Sequence, residues 1–174
     1  MNDTTTIYKK TPLWKEILFL LIKVALIILC FVLLFTFIYG ALRYPDQSMS
    51  PAVKDGDLVL FYRHSRNAYL PQDVIVLKAD DRRQIRRVIA LAGDLVDITP
   101  EGLMINGSLQ QEPEIYRRTD RYMEGISFPL IVPDGHVFVL ADNRVGTEDS
   151  RIYGCVSTKD TLGKVMTVIR RRGI

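Results

Sequence analysis

Ile17–Tyr39 reads ILFLLIKVALIILCFVLLFTFIY, an apolar run whose one charged residue is Lys23. Roughly 20 apolar residues cross the hydrocarbon core of a bilayer, so the run is long enough for a helical span, with Lys23 reaching toward the headgroups. Lys9, Lys10 and Lys15 precede it against Asp3 and Glu16, and a positive flank is the cytoplasmic one. The expected organisation is a cytoplasmic segment over 1–16, a transmembrane helix over 17–41 and an extracytoplasmic domain over 42–174. A cleaved export signal is the competing reading, with Tyr39, Gly40 and Ala41 as its small-residue exit. The run exceeds the apolar core of such signals, which is roughly 7 to 15 residues.

Working outward, the chain breaks into short runs rich in Val, Ile, Leu and Phe: Leu58–Tyr62, Val74–Leu77, Arg86–Ala90, Leu95–Ile98, Leu103–Ile105, Val137–Leu140 and Lys164–Ile169. They read as strands. Turn signals stand between them at Asp55-Gly56, Gly93-Asp94, Asn106-Gly107 and Asp134-Gly135. The Asn-Gly pair, between Met104-Ile105 and Ser108-Leu109, is the clearest hairpin. No sustained helical stripe follows Leu42, so helices there are expected to be short. Gln110–Pro129, rich in Glu, Pro, Arg, Tyr and Asp, predicts an irregular excursion within the same domain. The fold expected is mostly β, one compact β-rich domain behind a single N-terminal transmembrane helix.

An apolar fraction of 48% with 25% charged residues excludes a disordered chain. Cys30 lies in the apolar run and Cys155 near the C-terminus, so no disulfide framework is implied. The net charge of +3 is scattered and points to no nucleic acid partner. Its one dense cluster, Arg170, Arg171 and Arg172, reads as a solvated tail or a contact with lipid headgroups. An oligomeric state is not set by these features.

Ser48-Met49-Ser50-Pro51 alone reads as a turn. Its company is more specific. Pro45 precedes it and Gly56-Asp57-Leu58-Val59-Leu60-Phe61 follows. Then come Arg86-Arg87-Val88-Ile89 with Gly93-Asp94, and Ala141-Asp142-Asn143-Arg144 with Asp149-Ser150-Arg151. In that order and spacing, from the membrane run to Val156, the chain resembles the type I signal peptidase family. Its short length and single span resemble the Gram-positive branch. The resemblance implies a β-rich catalytic domain on the outer face of the cytoplasmic membrane, cutting exported preproteins after small residues with a serine and a lysine. A lysine in apolar surroundings loses its charge preference and accepts the serine proton, and no metal or cofactor is needed.

Carried onto this chain, the resemblance makes Ser48 the nucleophile, with its backbone N–H contributing to an oxyanion hole. The family lysine is followed by arginine and two apolar residues, so Arg86 falls on the lysine position and Arg87 on the arginine. Arginine stays protonated in proteins and cannot deprotonate Ser48. Two places before the nucleophile, where the family often carries serine or another small residue, stands Asp46. A carboxylate there repels an oxyanion, but it is expected to pair with Arg86 across the site. Thr147 falls on a serine whose hydroxyl orients the lysine, and Asp149 and Arg151 match a structural acid and arginine that hold the loop. Asp142, Asn143 and Arg144 are turn and packing residues. Ala141 replaces a usual glycine, so its backbone either has no need of positive φ or is strained. Substitutes for the base are His64, His136, or Lys78 in a shifted register; none falls on the lysine position, although the endoplasmic-reticulum branch uses a histidine there.

Three readings follow. The first is a signal peptidase acting on preproteins through Ser48. The second is a catalytically impaired relative that binds exported or surface-protein polypeptide, as a chaperone or assembly factor for surface polymers such as sortase-assembled pili. The third is an unrelated tethered β domain. In the first two, the partner is an extended polypeptide beside membrane lipid, bound along a strand edge.

Overall fold

The computed structural model describes residues 12–65, 68–79, 82–113 and 115–170, and the chain divides into two units, Met1–Phe37 and Ile38–Ile174. In the first unit, helix α1 spans Leu13–Leu33 and runs into one π-helical turn, Leu34–Ile38. Leu13–Ile38 is long and apolar enough to cross a membrane and fits a membrane anchor.

Two antiparallel sheets make up the second unit. The larger one orders its strands β1-β2-β11-β3-β4-β9-β10, from β1 (Tyr39–Arg43), β2 (Leu58–Tyr62), β3 (Val74–Ala79), β4 (Arg82–Leu91), β9 (His136–Leu140), β10 (Val156–Ser157) and β11 (Thr161–Ile169). The smaller one orders β7-β6-β5-β8, from β5 (Leu95–Thr99), β6 (Gly102–Ile105), β7 (Ser108–Leu109) and β8 (Leu130–Ile131). Every strand expected from the sequence is present. The β6–β7 turn has Asn106 at φ 51 and Gly107 at φ 78, the two left-handed residues of a type I′ hairpin. Beyond Leu42 the one α-helix among the described residues is α2, Ser150–Tyr153.

The backbone is already extended at Tyr39, within the stretch expected to be membrane helix over 17–41. β1 pairs with β2 from Tyr39↔Tyr62 to Arg43↔Leu58. Gly40 permits it, because a Cβ there would lie 2.2 Å from Cζ of Phe61. The buried pair Val59 and Phe61 on β2 joins Leu42, Tyr44, Met49, Val53, Val76 and Ile85 in one apolar cluster. Each large side chain removed from water contributes roughly 1.5–3 kcal/mol, so Met49 and Val53 anchor the loop between β1 and β2.

The excursion from Gln110 to Pro129 carries no strand among its described residues. Arg144 pins it by donating to both carboxylate oxygens of Glu112 and to Thr119, and Arg121 reaches back to Asp97 at 2.7 Å. Ala141 has no positive φ, so its side chain imposes no strain there. Three segments thereby converge: the β1–β2 loop, strand β4 and the β9–α2 loop.

Candidate active site

Ser48 sits in the β1–β2 loop, buried to 6% exposure. The loop is closed by backbone bonds, Tyr44 N to Asp57 O at 2.9 Å and Gly56 N to Tyr44 O at 2.7 Å. A bond from Asn143 N to Ser48 O at 2.9 Å ties it to the β9–α2 loop. Buried Met49 on one side and Tyr44 on the other hold the serine in place.

Arg86 projects from β4 to the serine. Its Nη1 donates to Ser48 Oγ at 2.8 Å and to Ile85 O at 2.6 Å. Its Nε and Nη2 both donate to Glu148 O, at 3.0 and 2.6 Å. The side chain is only 3% exposed, and among the described residues no carboxylate oxygen lies within 4 Å of it. Here the expected Asp46–Arg86 ion pair is corrected. Asp46 accepts from Ser48 N with Oδ1 and from Ser48 Oγ with Oδ2, the latter at 3.2 Å. The serine hydroxyl therefore stands between the two charges.

A fourth group completes the cluster. The Tyr44 hydroxyl hydrogen-bonds Ser48 Oγ. Burial raises the Tyr44 phenol above its ordinary value, against lowering by the Ser48 bond and the Arg86 charge, so the phenol keeps its proton at neutral pH.

Thr147 lies beside the serine in an open groove of about 1120 Å³, but its hydroxyl donates to Asn143 O at 2.8 Å and does not touch Arg86. The Glu148 carbonyl holds the arginine instead, a backbone group that no residue pattern announces. Asp149 and Arg151 form the local pair expected of them: Oδ1 and Oδ2 accept from Nε at 2.9 Å and Nη2 at 2.8 Å, both residues fully buried. Asp149 also caps α2 by accepting from Arg151 N and accepts from Ala141 N. Asp142 holds Arg87 through both carboxylate oxygens at 2.8 and 2.6 Å, a pairing the sequence reading did not anticipate.

Neither histidine lines the groove. His64 is exposed against Tyr62, and His136 bonds Asp134 O at the start of β9. Lys78, on β3 opposite Arg83, also lies outside it. The groove is lined by Ala41–Arg43 of edge strand β1, by Arg82, Arg83, Gln84 and Arg86 of β4, and by the β9–α2 loop. Gln84 Oε1 is buried without a hydrogen-bond partner. Among the described residues, no group of three or more metal-ligating side chains occurs.

The chain thus combines a buried serine in a groove beside a sheet edge with one apolar helix that fits a membrane anchor. The family described as "Signal peptidase, peptidase S26" matches residues 15–169, and the chain belongs to that family. Signal peptidase I of Bacillus licheniformis is 27% identical over 161 residues, covering 87% of this chain and 84% of the relative. Signal peptidase IB of Staphylococcus aureus is 28% identical over 169 residues, covering 87% and 88%. These matches bear out the Gram-positive resemblance. Probable thylakoidal processing peptidase 2, chloroplastic, of Arabidopsis thaliana is 31% identical over 132 residues, 69% of this chain; the match spans only 35% of that relative. A signal peptidase I structure from Enterococcus faecalis, 28% identical, covers 58% of this chain and 98% of its own, with a TM-score of 0.48.

Proposed function

We propose that this chain acts on exported preproteins at the outer face of the cytoplasmic membrane as a serine endopeptidase of the signal peptidase type, with Ser48 as nucleophile. One observation carries the reading: the Ser48 hydroxyl, held by the fixed Arg86 cation, stands in a groove large enough for an extended peptide. Residues 41–43 of edge strand β1 line the groove, where an extended peptide can add main-chain hydrogen bonds, and Gln84 Oε1 is an acceptor for a peptide N–H. Arg86 is not the base. It holds Oγ and stabilises negative charge developing on it. Asp149 and Arg151 hold the loop that presents the Glu148 carbonyl to Arg86. The apolar helix anchors the protein in lipid as a single span, N-terminus in the cytoplasm.

The arginine also favours a second reading. A side chain that only donates to Ser48 Oγ suits a groove that holds exported or surface-protein polypeptide without cutting, the role of an assembly factor. The deciding experiment is cleavage of a preprotein with a small-residue signal site by full-length protein in lipid. Turnover that disappears in Ser48→Ala supports the peptidase. Peptide binding equal in both proteins, with no turnover in either, supports the holding role.

A further inference from the structure

The geometry points to Asp46 as the group that takes the Ser48 proton, in place of the absent lysine; this rests on the reading of Ser48 as nucleophile. Proton accounting around Ser48 Oγ carries it. Arg86 has only protons to give, and its Nη1 donates to Oγ at 2.8 Å. The Tyr44 phenol is protonated, and Ser48 Oγ is its partner. Either hydroxyl of that pair can donate, but a protonated phenol is no base, so the basic oxygen on the serine hydroxyl is Asp46 Oδ2, which accepts from Oγ at 3.2 Å. An aspartate braced on the N–H two residues later is an ordinary turn device. That device uses one carboxylate oxygen; the second, turned to Oγ, is surplus to it.

The steps balance. As Ser48 Oγ bonds to the scissile carbonyl carbon, its proton passes to Asp46 Oδ2 and the carbonyl oxygen takes the negative charge. The oxyanion's electron pair then re-forms the C=O bond as the C–N bond breaks, and the nitrogen, leaving with the C–N pair, takes the proton from Asp46 and returns the negative charge to its carboxylate. Water then attacks the ester, Asp46 accepts its proton and hands it to Oγ as the C–O bond breaks. A carboxylate is a weak base, so transfer accompanies bond formation and does not precede it.

Electrostatics favours this route in this particular site. The negative charge moves from Asp46, which is exposed to the groove, to the oxyanion while the buried Arg86 cation stays in place, so the net charge beside Arg86 does not change. A neutralised Asp46 no longer repels the oxyanion. It also binds the Ser48 N–H more weakly, which frees that donor for the oxyanion. The charges facing Asp46 are the Arg86 cation from β4 and the neutral Tyr44 of its own loop, and Arg43, Arg82, Arg83 and Glu148 line the same groove.

The test uses full-length protein in phospholipid vesicles and a preprotein with a small-residue signal site, with initial rates measured from pH 6 to 9. Asp46→Asn keeps an acceptor for Ser48 N–H but has no basic oxygen, and Asp46→Ser has the hydroxyl common in the family. The expected result is a wild-type rate that varies less than about twofold across that window, where a carboxylate is ionised throughout. Both variants should lose about 100-fold or more in kcat, the usual size of a general-base effect, with KM unchanged. Asp46→Ser cutting as fast as the wild type overturns the proposal, and so does a wild-type rate climbing about tenfold per pH unit. A folded wild type that binds but never cuts overturns both this and the peptidase reading. Undiminished cutting by Ser48→Ala removes Ser48 as nucleophile and Asp46 with it.

Discussion

Arg151 and Arg86 are arginines of nearly equal burial, 1% and 3% exposed, in surroundings that differ in one respect. Arg151 meets both oxygens of the buried Asp149, donates to the carbonyls of Asp120 and Arg144, and lies 4.6 Å from the Tyr122 ring centroid. Arg86 has the carbonyls of Glu148 and Ile85 and the Ser48 hydroxyl, with no carboxylate in direct contact. Burying a cation is costly unless a partner offsets it. Arg151 is neutralised and builds structure. Arg86 is held directly by dipoles, and the Ser48 hydroxyl bridges it to the carboxylate of Asp46. Buried charges without a direct counter-ion gather at functional sites, and this contrast separates the site from the scaffold within one small domain.

The contrast can be broken most directly at its structural end. Asp149→Ala strands the Arg151 cation, uncaps α2 and leaves Ala141 N without its acceptor. A loss of about 3–5 kcal/mol is expected in urea unfolding of the full-length protein in detergent. A loss below about 1 kcal/mol would show that the pairing means little.

Arg86→Met probes the other end. It frees two carbonyls and removes a charge that had no carboxylate in direct contact, so the expected loss is smaller, about 1–3 kcal/mol. Preprotein cleavage should nevertheless fall to the Ser48→Ala level. Equal stability losses for the two variants would erase the distinction drawn here.

The smallest effect is expected at Tyr153, whose phenol feels the Arg86 charge and is pushed up to about 12 by burial. Among the described residues its hydroxyl makes no hydrogen bond within 3.5 Å, so Tyr153→Phe should change stability at pH 7 by no more than about 0.5 kcal/mol. The native state keeps this proton between about pH 10 and 12, where an unfolded tyrosine loses it, so the contribution is complete below pH 10 and vanishes as pH rises through 12. Unfolding curves of Tyr153→Phe should accordingly decline less over that range than those of the wild type.

Much of this architecture was legible in the residues. The runs of Val, Ile and Leu separated by Gly and Asp turns marked seven strands, and Asn106-Gly107 marked its hairpin. β1 was not legible, because Tyr39–Leu42 continues the apolar composition of the membrane run, and a buried strand and a lipid-facing helix look alike over so short a stretch. Only the Phe61 ring over Gly40 shows why the glycine is there. Strands β8 and β10 are two residues each, too short to show alternation. At the site, Ser48 and Arg86 were legible through the family's ordered boxes. Opposite charge alone predicts a direct Asp46–Arg86 pair; the Ser48 hydroxyl instead lies between the two and bonds both.

The sequence by itself determined the membrane-length helix, the β character of the domain, and one chemical constraint: an arginine at the base position has no lone pair to offer. These are properties of composition, local spacing and side-chain identity. Tertiary structure alone decided which charge meets which. Asp142 holds Arg87, Glu112 holds Arg144, Asp149 holds Arg151, and Arg86 is left to the serine and to carbonyls. Those choices turn on separations of a few ångströms between residues mostly far apart in the chain. Strand register and loop closure set such distances, and side-chain identity does not.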